Sequence, residues 1–342
     1  MKNEEFATAR ALHIFTGNKV LRAVANSSFF TLHSSFFTFH SSFFTFHFSL
    51  FIILIFSSCT ERQEGMPVQT DSIEVDSTAL RVAVMPTMGC LPLYYAVRSG
   101  LTDSLGLQIT LLRYQAQMDI DTAILHGHAD IAYTDLIRTE RLAKDIGLKP
   151  FAAYDEPLSL ISLKTKRVKR INQMKEQMIA ISRLSATDYW CDHVLDSTST
   201  SHDDIYRPQI NDVCLRAEMM RLGLIDAAMM GEPFATWMVM LGHKRLFRTQ
   251  RGQTRLYAWV ASDNATDIQQ KAFRHLLDSA VVLCNQGSQA DLIRNVLQQE
   301  YQLPPALTDT LELPAPTATL SIRPSDMAEA RKWLDKANQR SK

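Results

Sequence analysis

The sequence lacks an excess of either charge, closely spaced cysteine pairs and long internal repeats. Lys and Arg together number 36, as do Asp and Glu, so the formal net charge is zero. The basic excess that is typical of nucleic-acid-binding proteins is therefore missing. No C-x-x-C motif occurs, so neither a dithiol redox pair nor a structural zinc site is indicated. No repeat of solenoid length follows residue 60. We therefore expect no nucleic-acid partner.

The amino-terminal segment is a low-complexity sequence. Residues 27–33 recur almost unchanged at 34–40 and again at 41–47. Adjacent phenylalanines, serines and threonines fill this repeat, which suits neither a coiled-coil seam nor a strand face. We interpret it as a translated nucleotide repeat upstream of the true start, so that its evenly spaced histidines are not metal ligands.

An apolar run at residues 48–56 is followed by Ser57, Ser58 and Cys59. The run is too short to span a bilayer comfortably, and small residues before a cysteine are typical of the end of an export signal. Cys59 resembles the lipidated cysteine of a bacterial lipoprotein signal. A membrane-anchoring helix from about residue 43 to 56 is the alternative, and both interpretations place the remaining chain outside the cytoplasm. Residues 60–79 are polar and acidic, which predicts a flexible tether.

Strands and helices alternate after the tether. Apolar runs at residues 80–85, 107–112 and 129–134 predict buried strands, and residues 91–100 and 118–127 predict helices between them. The spacings are too long for hairpins, so we expect a parallel sheet with right-handed crossovers. In such sheets a ligand binds beside the carboxyl ends of the strands. The candidate residues at these ends are Thr87, Met88, Gln115, Thr134 and Asp135.

A second set of polar residues follows another predicted strand at residues 178–182. Ser185 or Thr187 is well placed to cap the helical run at 189–195. Unpaired N–H groups at a helix start attract anions, although both residues would also serve as simple caps. The candidate ligand contacts in this half of the chain are Ser185, Thr187, Asp188, Asn211, Glu232 and Phe234.

Metal and disulfide chemistry are not indicated by the remaining cysteines and histidines. Cys191, Asp192 and His193 are consecutive in a predicted helix, where their side chains point about 100° apart and cannot share one ion. We assign no metal site, no cofactor and no catalytic residue. Four cysteines after Cys59 allow three disulfide pairings, between which the sequence does not choose. They are Cys90, Cys191, Cys214 and Cys284.

Two phrases carry a family resemblance. Gly-x-Ala-Asp-Ile-Ala occurs at residues 127–132, and Gly-x-Ile-Asp-Ala-Ala at 223–228 is followed by Glu-Pro-Phe-Ala-Thr at 232–236. In this order they resemble the periplasmic solute-binding proteins of ABC importers, and most of all the group that binds nitrate, sulfonates, taurine and thiamine-pyrimidine precursors. The resemblance covers about residues 80–333. Gly231 stands where the family often has an aromatic residue, so a stacking surface is missing or the pocket is enlarged.

The resemblance implies the type 2 periplasmic-binding-protein fold, an α/β architecture of two lobes, each a mostly parallel sheet flanked by helices. Residues 80–165 and 250–338 would form lobe 1 and residues 166–249 lobe 2, with a double hinge near 163–170 and 245–253. A small polar ligand, nitrogenous, pyrimidine-like or of sulfonate type, would be clamped between the lobes and delivered to the permease of an ABC importer.

The same resemblance implies a monomeric, non-enzymatic lipoprotein of the cell envelope, anchored to a membrane through Cys59 and facing the periplasm or the exterior. Two alternatives remain at this point. One is an enzyme on the same fold, similar to the menaquinone-pathway dehydratases, which are cytoplasmic and would not need the export signal. The other is a lipoprotein that senses a ligand without serving a transporter.

Overall fold

The computed structural model describes residues 79–340, apart from 288 and 313–314. The amino-terminal repeat, the export signal with Cys59, and the tether up to residue 78 lie outside the described residues. None of the described helices is long and apolar enough to cross a membrane. The described chain forms two β-sheets with helices packed against them, and each sheet is the centre of one lobe.

The sheet of lobe 1 has five strands in the order β2-β1-β3-β9-β4. Its centre is apolar and buried, as the hydrophobic runs predict, and Val82 of β1 lies beside Ile131 of β3. The strands are β1 (Leu80–Val84), β2 (Ile109–Arg113), β3 (Ile131–Asp135), β4 (Lys149–Tyr154) and β9 (Tyr257–Ala261).

The sheet of lobe 2 has four strands in the order β6-β7-β5-β8. Its inner strand β5 is buried along its whole length, and Ile161 of β5 pairs with Ala228 of β7. The strands are β5 (Leu158–Ser162), β6 (Ile179–Ala180), β7 (Ala227–Gly231) and β8 (Lys244–Arg248).

The expected parallel pairing is found for β1 with β2, β1 with β3 and β6 with β7. The remaining pairs, which involve β5 and β9, are antiparallel. The reason lies in the path of the chain. Strands β5 and β9 begin where the chain crosses from the other lobe, so they start at the edge where β3 and β7 end and run in the opposite direction.

Eleven helices are described. α1 contains Pro92 in its first turn and is followed by Gly100 in the left-handed region, as predicted from the sequence. The helices are α1 (Leu91–Arg98), α2 (Leu101–Ser104), α3 (Gln117–Leu125), α4 (Leu136–Leu142), α5 (Ala186–Ser197), α6 (Val213–Arg221), α7 (Phe234–Met240), α8 (Asp267–Asn285), α9 (Ala290–Gln299), α10 (Pro305–Thr308) and α11 (Pro324–Arg340).

The carboxyl-terminal helices return to lobe 1. α8 and α9 pack on α1, and α11 packs on α4. The core beneath α8 is aromatic, because the ring of Trp259 lies 5.1 Å from that of Tyr133 and 5.0 Å from that of Phe273. The apolar run at residues 257–262 predicts a strand of lobe 1, and the structure has β9 in the sheet of that lobe.

The crossings between the lobes differ from the boundaries predicted from the sequence. Strand β5 was assigned to lobe 1 but is hydrogen-bonded between β7 and β8 of lobe 2. The chain therefore leaves lobe 1 at residues 155–157, between β4 and β5, rather than at 163–170. It returns at residues 249–256, between β8 and β9. The sequence of β5 is uniformly apolar, so it does not indicate which sheet the strand joins.

Candidate functional site

A cavity lies between the two sheets, at the edge where β1, β3 and β7 end and β5 and β9 begin. Its volume is about 40 Å³, which accommodates a few water-sized groups. Lobe 1 contributes residues around Thr87 and Asp135, and lobe 2 contributes residues from α5, α6 and β7. The lining residues are Met85, Pro86, Thr87, Gln117, Asp135, Glu156, Leu158, Ser182, Ser185, Thr187, Asn211, Val213, Arg216, Met230, Gly231, Glu232, Phe234 and Tyr257.

Arg216 of α6 is a buried cation in the cavity wall. Its side chain donates to the carbonyl oxygens of Ile210 (2.6 and 2.9 Å) and Met229 (2.9 Å) and to the hydroxyl of Ser182 (3.0 Å). Among the described residues no carboxylate lies within ion-pair distance of it. Burial lowers the pKa of the guanidinium to about 10, so it remains charged at neutral pH. Within the described chain the positive charge is thus balanced by neutral acceptors alone.

The start of α5 adds hydroxyl groups to the same wall. Ser185 caps the helix by accepting from the N–H of Thr187 at 3.2 Å, and it donates to the carbonyl of Ser182 at 2.7 Å. The hydroxyl of Thr187 lies 2.9 Å from that of Ser185 and accepts from the N–H of Ser182. The helix has 12 residues, and its N-terminus favours a negative group. With Arg216, this wall can bind an anionic or otherwise hydrogen-bond-accepting group.

Asp135, at the end of β3, lies next to the start of α5, where the backbone N–H of Ala186 stabilises its carboxylate. It caps α4 by accepting from the N–H groups of Ile137 and Arg138, both at 3.0 Å. Burial raises the pKa of this carboxyl to about 6, although the Arg138 guanidinium opposes the shift. Arg138 in turn donates to the carbonyl of Arg183 in lobe 2 at 3.1 Å. This corner of the cavity therefore joins the lobes through polar contacts.

Glu156 is a second buried carboxyl in the cavity wall, in the first crossing segment. Its Oε2 accepts from the hydroxyl of Tyr133 at 2.7 Å and from the N–H of Gly89 at 3.3 Å. Burial raises the pKa of Glu156 to about 7, against the opposing effect of these hydrogen bonds. Near neutral pH this group can therefore either donate or accept a proton in a hydrogen bond.

Glu232 is a third carboxyl group in the cavity wall and directly follows β7. Its carboxylate accepts from the N–H of Thr236 at 2.9 Å and pairs with Arg245 at 3.2 Å and Arg248 at 3.8 Å. Its charge is thus already compensated by two arginines of β8, unlike that of Arg216. Phe234 follows at the start of α7 and contributes an apolar face to the cavity.

Seven of the eleven ligand contacts predicted from the sequence line this cavity. They are Thr87, Asp135, Ser185, Thr187, Asn211, Glu232 and Phe234. The side-chain amide of Asn211 also donates to the sulfur of Met118 in lobe 1 at 2.8 Å.

The other four predicted residues lie outside the cavity lining. The hydroxyl of Thr134 is buried and accepts from the amide of Gln117 at 2.8 Å. Gln115 accepts from the thiol of Cys214, and Asp188 accepts from Arg207 and from the N–H of Leu184. Met88 lines a neighbouring cavity of about 690 Å³ that shares Glu232 with the first. The side chains of Thr134, Gln115 and Asp188 therefore form hydrogen bonds with neighbouring parts of the chain and do not line the cavity.

The two charged residues that sequence reasoning missed are Glu156 and Arg216. The sequence predicts a helix at residues 213–222, and Arg216 lies within it, at a position where an arginine is ordinarily solvent-exposed. The apolar run at residues 157–163 predicts a strand, and Glu156 directly precedes it, at a position where an acidic residue is typical of a surface loop. Only the apolar residues on either side of Glu156 and Arg216 could have suggested that these two are buried. Those residues do not indicate which face of the strand or of the helix is enclosed.

No group of three or more metal-ligating side chains that could hold an ion is found in the described part of the chain. The four cysteines whose pairing the sequence left open are all buried as free thiols. Burial raises the pKa of the Cys90 thiol to about 12, which keeps it protonated.

Comparison with protein-family models matches residues 88–243 to the family described as NMT1/THI5 like. Comparison with curated proteins gave no match. The family match spans the first phrase noted in the sequence, the cavity-lining part of α5 and α6, and the Glu-Pro-Phe-Ala-Thr phrase.

Solved structures of periplasmic binding proteins share the fold. The periplasmic aliphatic sulphonate binding protein SsuA from Escherichia coli is 16% identical, with a TM-score of 0.63, and the match covers 77% of this chain and 88% of that one. The alkanesulfonate-binding protein SsuA from Xanthomonas axonopodis pv. citri, bound to MOPS, is 19% identical, with a TM-score of 0.62 over 75% and 91% of the chains. The periplasmic nitrate-binding protein NrtA from Synechocystis PCC 6803 is 13% identical, with a TM-score of 0.61 over 78% and 82%. The predicted type 2 periplasmic-binding-protein fold is confirmed.

Proposed function

We propose that this chain, which has the fold of the periplasmic solute-binding proteins and an NMT1/THI5-like segment, is the solute-binding protein of an ABC importer. It would capture a small polar ligand, nitrogenous, pyrimidine-like or of sulfonate type, in the cavity between its lobes and deliver it to a permease. It needs no catalytic group for this task. The solved structures named above are likewise structures of binding proteins.

One observation carries the proposal: the cavity wall contains Arg216, a buried guanidinium without a carboxylate partner among the described residues. A buried charge that is left unpaired is costly to the fold. Its retention in the wall of an interlobe cavity is explained if a ligand supplies the compensating oxygen atoms. Ser182, Ser185 and Thr187 surround the same place and provide further hydrogen bonds.

A ligand can enter the cavity if the two lobes separate about the segments that connect them. The cavity of about 40 Å³ is smaller than the pockets of several hundred Å³ that usually hold drug-sized ligands. A ring-sized ligand therefore requires the lobes to separate, and we infer that residues 155–157 and 249–256 act as the double hinge. Contacts that form only in the closed state would then favour closure around the ligand.

The proposed location is the cell envelope, with the protein a monomer anchored through a lipid on Cys59 and facing the periplasm or the exterior. The apolar run before Cys59 and the polar tether after it support this placement. A tether of about twenty residues would let the two lobes reach a permease in the same membrane.

Native mass spectrometry of the chain from residue 60, expressed in a cell envelope, tests the proposal directly. We expect a small molecule to be retained, and we expect Arg216→Met to abolish its retention while Arg221→Met, an exposed arginine on the same helix, preserves it. A thermal-shift panel of nitrogenous, pyrimidine and sulfonate compounds should then identify members that raise the melting temperature in proportion to occupancy.

An empty protein whose melting temperature is unmoved by the whole panel would contradict the importer proposal. Retention of a ligand combined with no effect of its supply on uptake into cells would instead favour a sensing lipoprotein. A growth or uptake assay with a deletion strain separates these outcomes.

A further inference from the structure

Glu156 has a position in the cavity wall that neither the family match nor the proposed function assigns. Its side chain is only 8% exposed, and Oε2 is held by the hydroxyl of Tyr133 and the N–H of Gly89. These two donors fix the orientation of the carboxyl group. The other oxygen, Oε1, lies on the side of Gly231, which also lines the cavity.

Two glycines make room for this arrangement. A Cβ atom on Gly231 would lie 2.8 Å from Oε1 of Glu156, and a Cβ on Gly89 would lie 2.1 Å from the ring of Tyr133. Both distances are shorter than any real van der Waals contact. A side chain at residue 231 would therefore displace the Glu156 carboxyl.

The cavity is consequently asymmetric in charge. The wall from lobe 2 presents Arg216 and three hydroxyl groups, which favour an oxygen atom or an anion, and also Glu232, whose charge is compensated by two arginines of β8. Glu156 and Asp135 present carboxyl groups that would repel a second anionic group. A ligand that carries only negative or hydrogen-bond-accepting groups, such as a simple oxyanion, complements Arg216 and the hydroxyl groups but is repelled by the carboxyl groups.

We propose that Glu156 is a specificity-determining residue, selecting ligands that carry a cationic or N–H-donating group in addition to the acceptor that Arg216 favours. This inference rests on the proposed binding function and narrows its ligand class. A nitrogenous molecule with an acceptor at one end and an amidine-like or ammonium-like donor at the other satisfies both walls, whereas an alkyl sulfonate without such a donor does not.

The test uses acetamidinium and acetate, two ions of similar size and shape and of opposite charge. The affinity of each is measured at pH 8 from the chemical shifts of the methionine methyl groups, because Met85 and Met230 line the cavity. Millimolar concentrations are needed, since molecules of this size bind weakly. We expect Glu156→Gln to weaken acetamidinium binding about tenfold or more and to leave acetate binding unchanged or stronger.

Matched variants separate a role in selection from a general disturbance of the fold. Gly231→Ala should weaken acetamidinium binding as Glu156→Gln does, because it displaces the same carboxyl group. Glu218→Gln changes a partly exposed acid of α6 outside the cavity lining and should leave both affinities unchanged. Glutamine has nearly the shape of glutamate and can accept from Tyr133 and Gly89, so we expect the variant to fold.

A pH series gives an independent readout. Acetamidinium binding to the unmodified protein should fall between pH 8 and pH 6, as the Glu156 carboxyl becomes protonated near its pKa of about 7, and this component should be missing in Glu156→Gln. Asp135, with a pKa of about 6, contributes at the lower end of the range. The other titratable groups that act on Glu156 are Tyr133, Tyr154, Tyr257, Tyr301, Cys90 and Glu232.

Equal acetamidinium affinity in the unmodified protein and in Glu156→Gln would overturn the inference, as would the failure of acetamidinium to bind at all. Neither result bears on the proposed function, which is judged by the retention of a natural ligand in native mass spectrometry. Loss of that retention would contradict the binding function itself.

Discussion

Buried ionisable groups set the chemistry of the cavity at the scale of single residues. Glu156 and Arg216 each rely on neutral hydrogen-bonding partners rather than on an opposite charge. Such groups cost free energy in the empty protein, because desolvation is not offset by an ion pair. Substitution of either residue is therefore expected to change the stability of the protein as well as its ligand binding.

The pKa of Glu156 is raised, so its ionisation opposes folding. Below pH 4.5 the carboxyl is protonated in both the folded and the unfolded chain. Between pH 4.5 and about 7 it ionises in the unfolded chain only, so the free energy of unfolding falls as the pH rises through this range. We expect Glu156→Gln to be more stable than the unmodified protein by about 1–3 kcal/mol at pH 8 and about equally stable at pH 4.5. Urea unfolding at the two pH values measures this, with Glu218→Gln as the control. A Glu156→Gln protein that is less stable at pH 8 would contradict the assigned burial cost.

Arg216 holds the carbonyl groups of Ile210 and Met229 and the hydroxyl of Ser182. Arg216→Met should leave these acceptors unsatisfied and destabilise the protein by about 1–3 kcal/mol. It should also weaken binding of the retained ligand at least about tenfold, because the only described cation in the cavity lining is removed. Arg221→Met removes an exposed arginine of the same helix, paired with Glu218, and should change neither quantity by more than about 0.5 kcal/mol. Calorimetry with the ligand and urea unfolding provide the two measurements.

The candidate residues show what a sequence can and cannot indicate. Thr87, Asp135, Ser185 and Glu232 follow strands or begin helices, and such positions are recognisable from apolar runs and capping patterns. Glu156 and Arg216 lie 60 residues apart in the chain and line the same cavity, and their burial depends on how the two sheets face each other. No local pattern records that arrangement, so both charged residues were missed.

At the scale of elements, the start of α5 combines a structural and a functional role. Ser185 caps the helix and also lines the cavity. Ser185→Ala should cost about 1 kcal/mol of stability and should weaken ligand binding as well. Thr266 caps α8 in the same way, with Gln269 completing the capping box, but it lies outside the cavity lining. Thr266→Ala should therefore cost a similar stability without weakening ligand binding, and equal effects of both variants on binding would contradict the functional role of Ser185.

Long periodic elements were predicted well. The sequence predicts helices at residues 118–127, 213–222, 269–285 and 289–300. The corresponding helices α3, α6, α8 and α9 differ from these ranges by at most two residues at either end. The short strands β4 and β8 and the helices α4 and α7 were not identified, and β6 has only two residues where a longer strand was expected. Tertiary pairing decides these short elements, because β4 and β8 are ordered by antiparallel partners about one hundred residues away in the chain.

The relation between the lobes belongs to the scale of the whole molecule. Several contacts join them beyond the two crossing segments: the N–H of Val213 donates to the carbonyl of Gln115 at 3.1 Å, and Arg138 donates to the carbonyl of Arg183. A bridge between Ala116 and Asp212 lies beside them. All of these contacts lie near the cavity, so opening of the hinge would break them together. We refer to the arrangement in which these contacts are formed as the closed arrangement.

Ligand binding should therefore shift the protein toward this closed arrangement. Spin labels on Asp119→Cys of α3 and Leu215→Cys of α6 report the distance across the cleft, since both positions are exposed and lie in different lobes. We expect a broad distribution with a long-distance component in the empty protein and one narrow, shorter distance with the retained ligand. In the chain from residue 60, which lacks Cys59, the four remaining cysteines are buried, so this chain without the two substitutions should label poorly and serves as the blank.

A pair within lobe 1, Asp119→Cys with Lys271→Cys on α8, should give the same distance in both states, because only the relation between lobes changes. Arg216→Met in the cross-cleft pair should abolish the shift, since the ligand would lose the group through which it joins α6 to lobe 1. Cross-cleft distances that are identical with and without ligand would contradict closure on the double hinge. They would then indicate that the ligand enters a cleft that is already closed, through local motions of the cavity wall around Glu232 and Phe234.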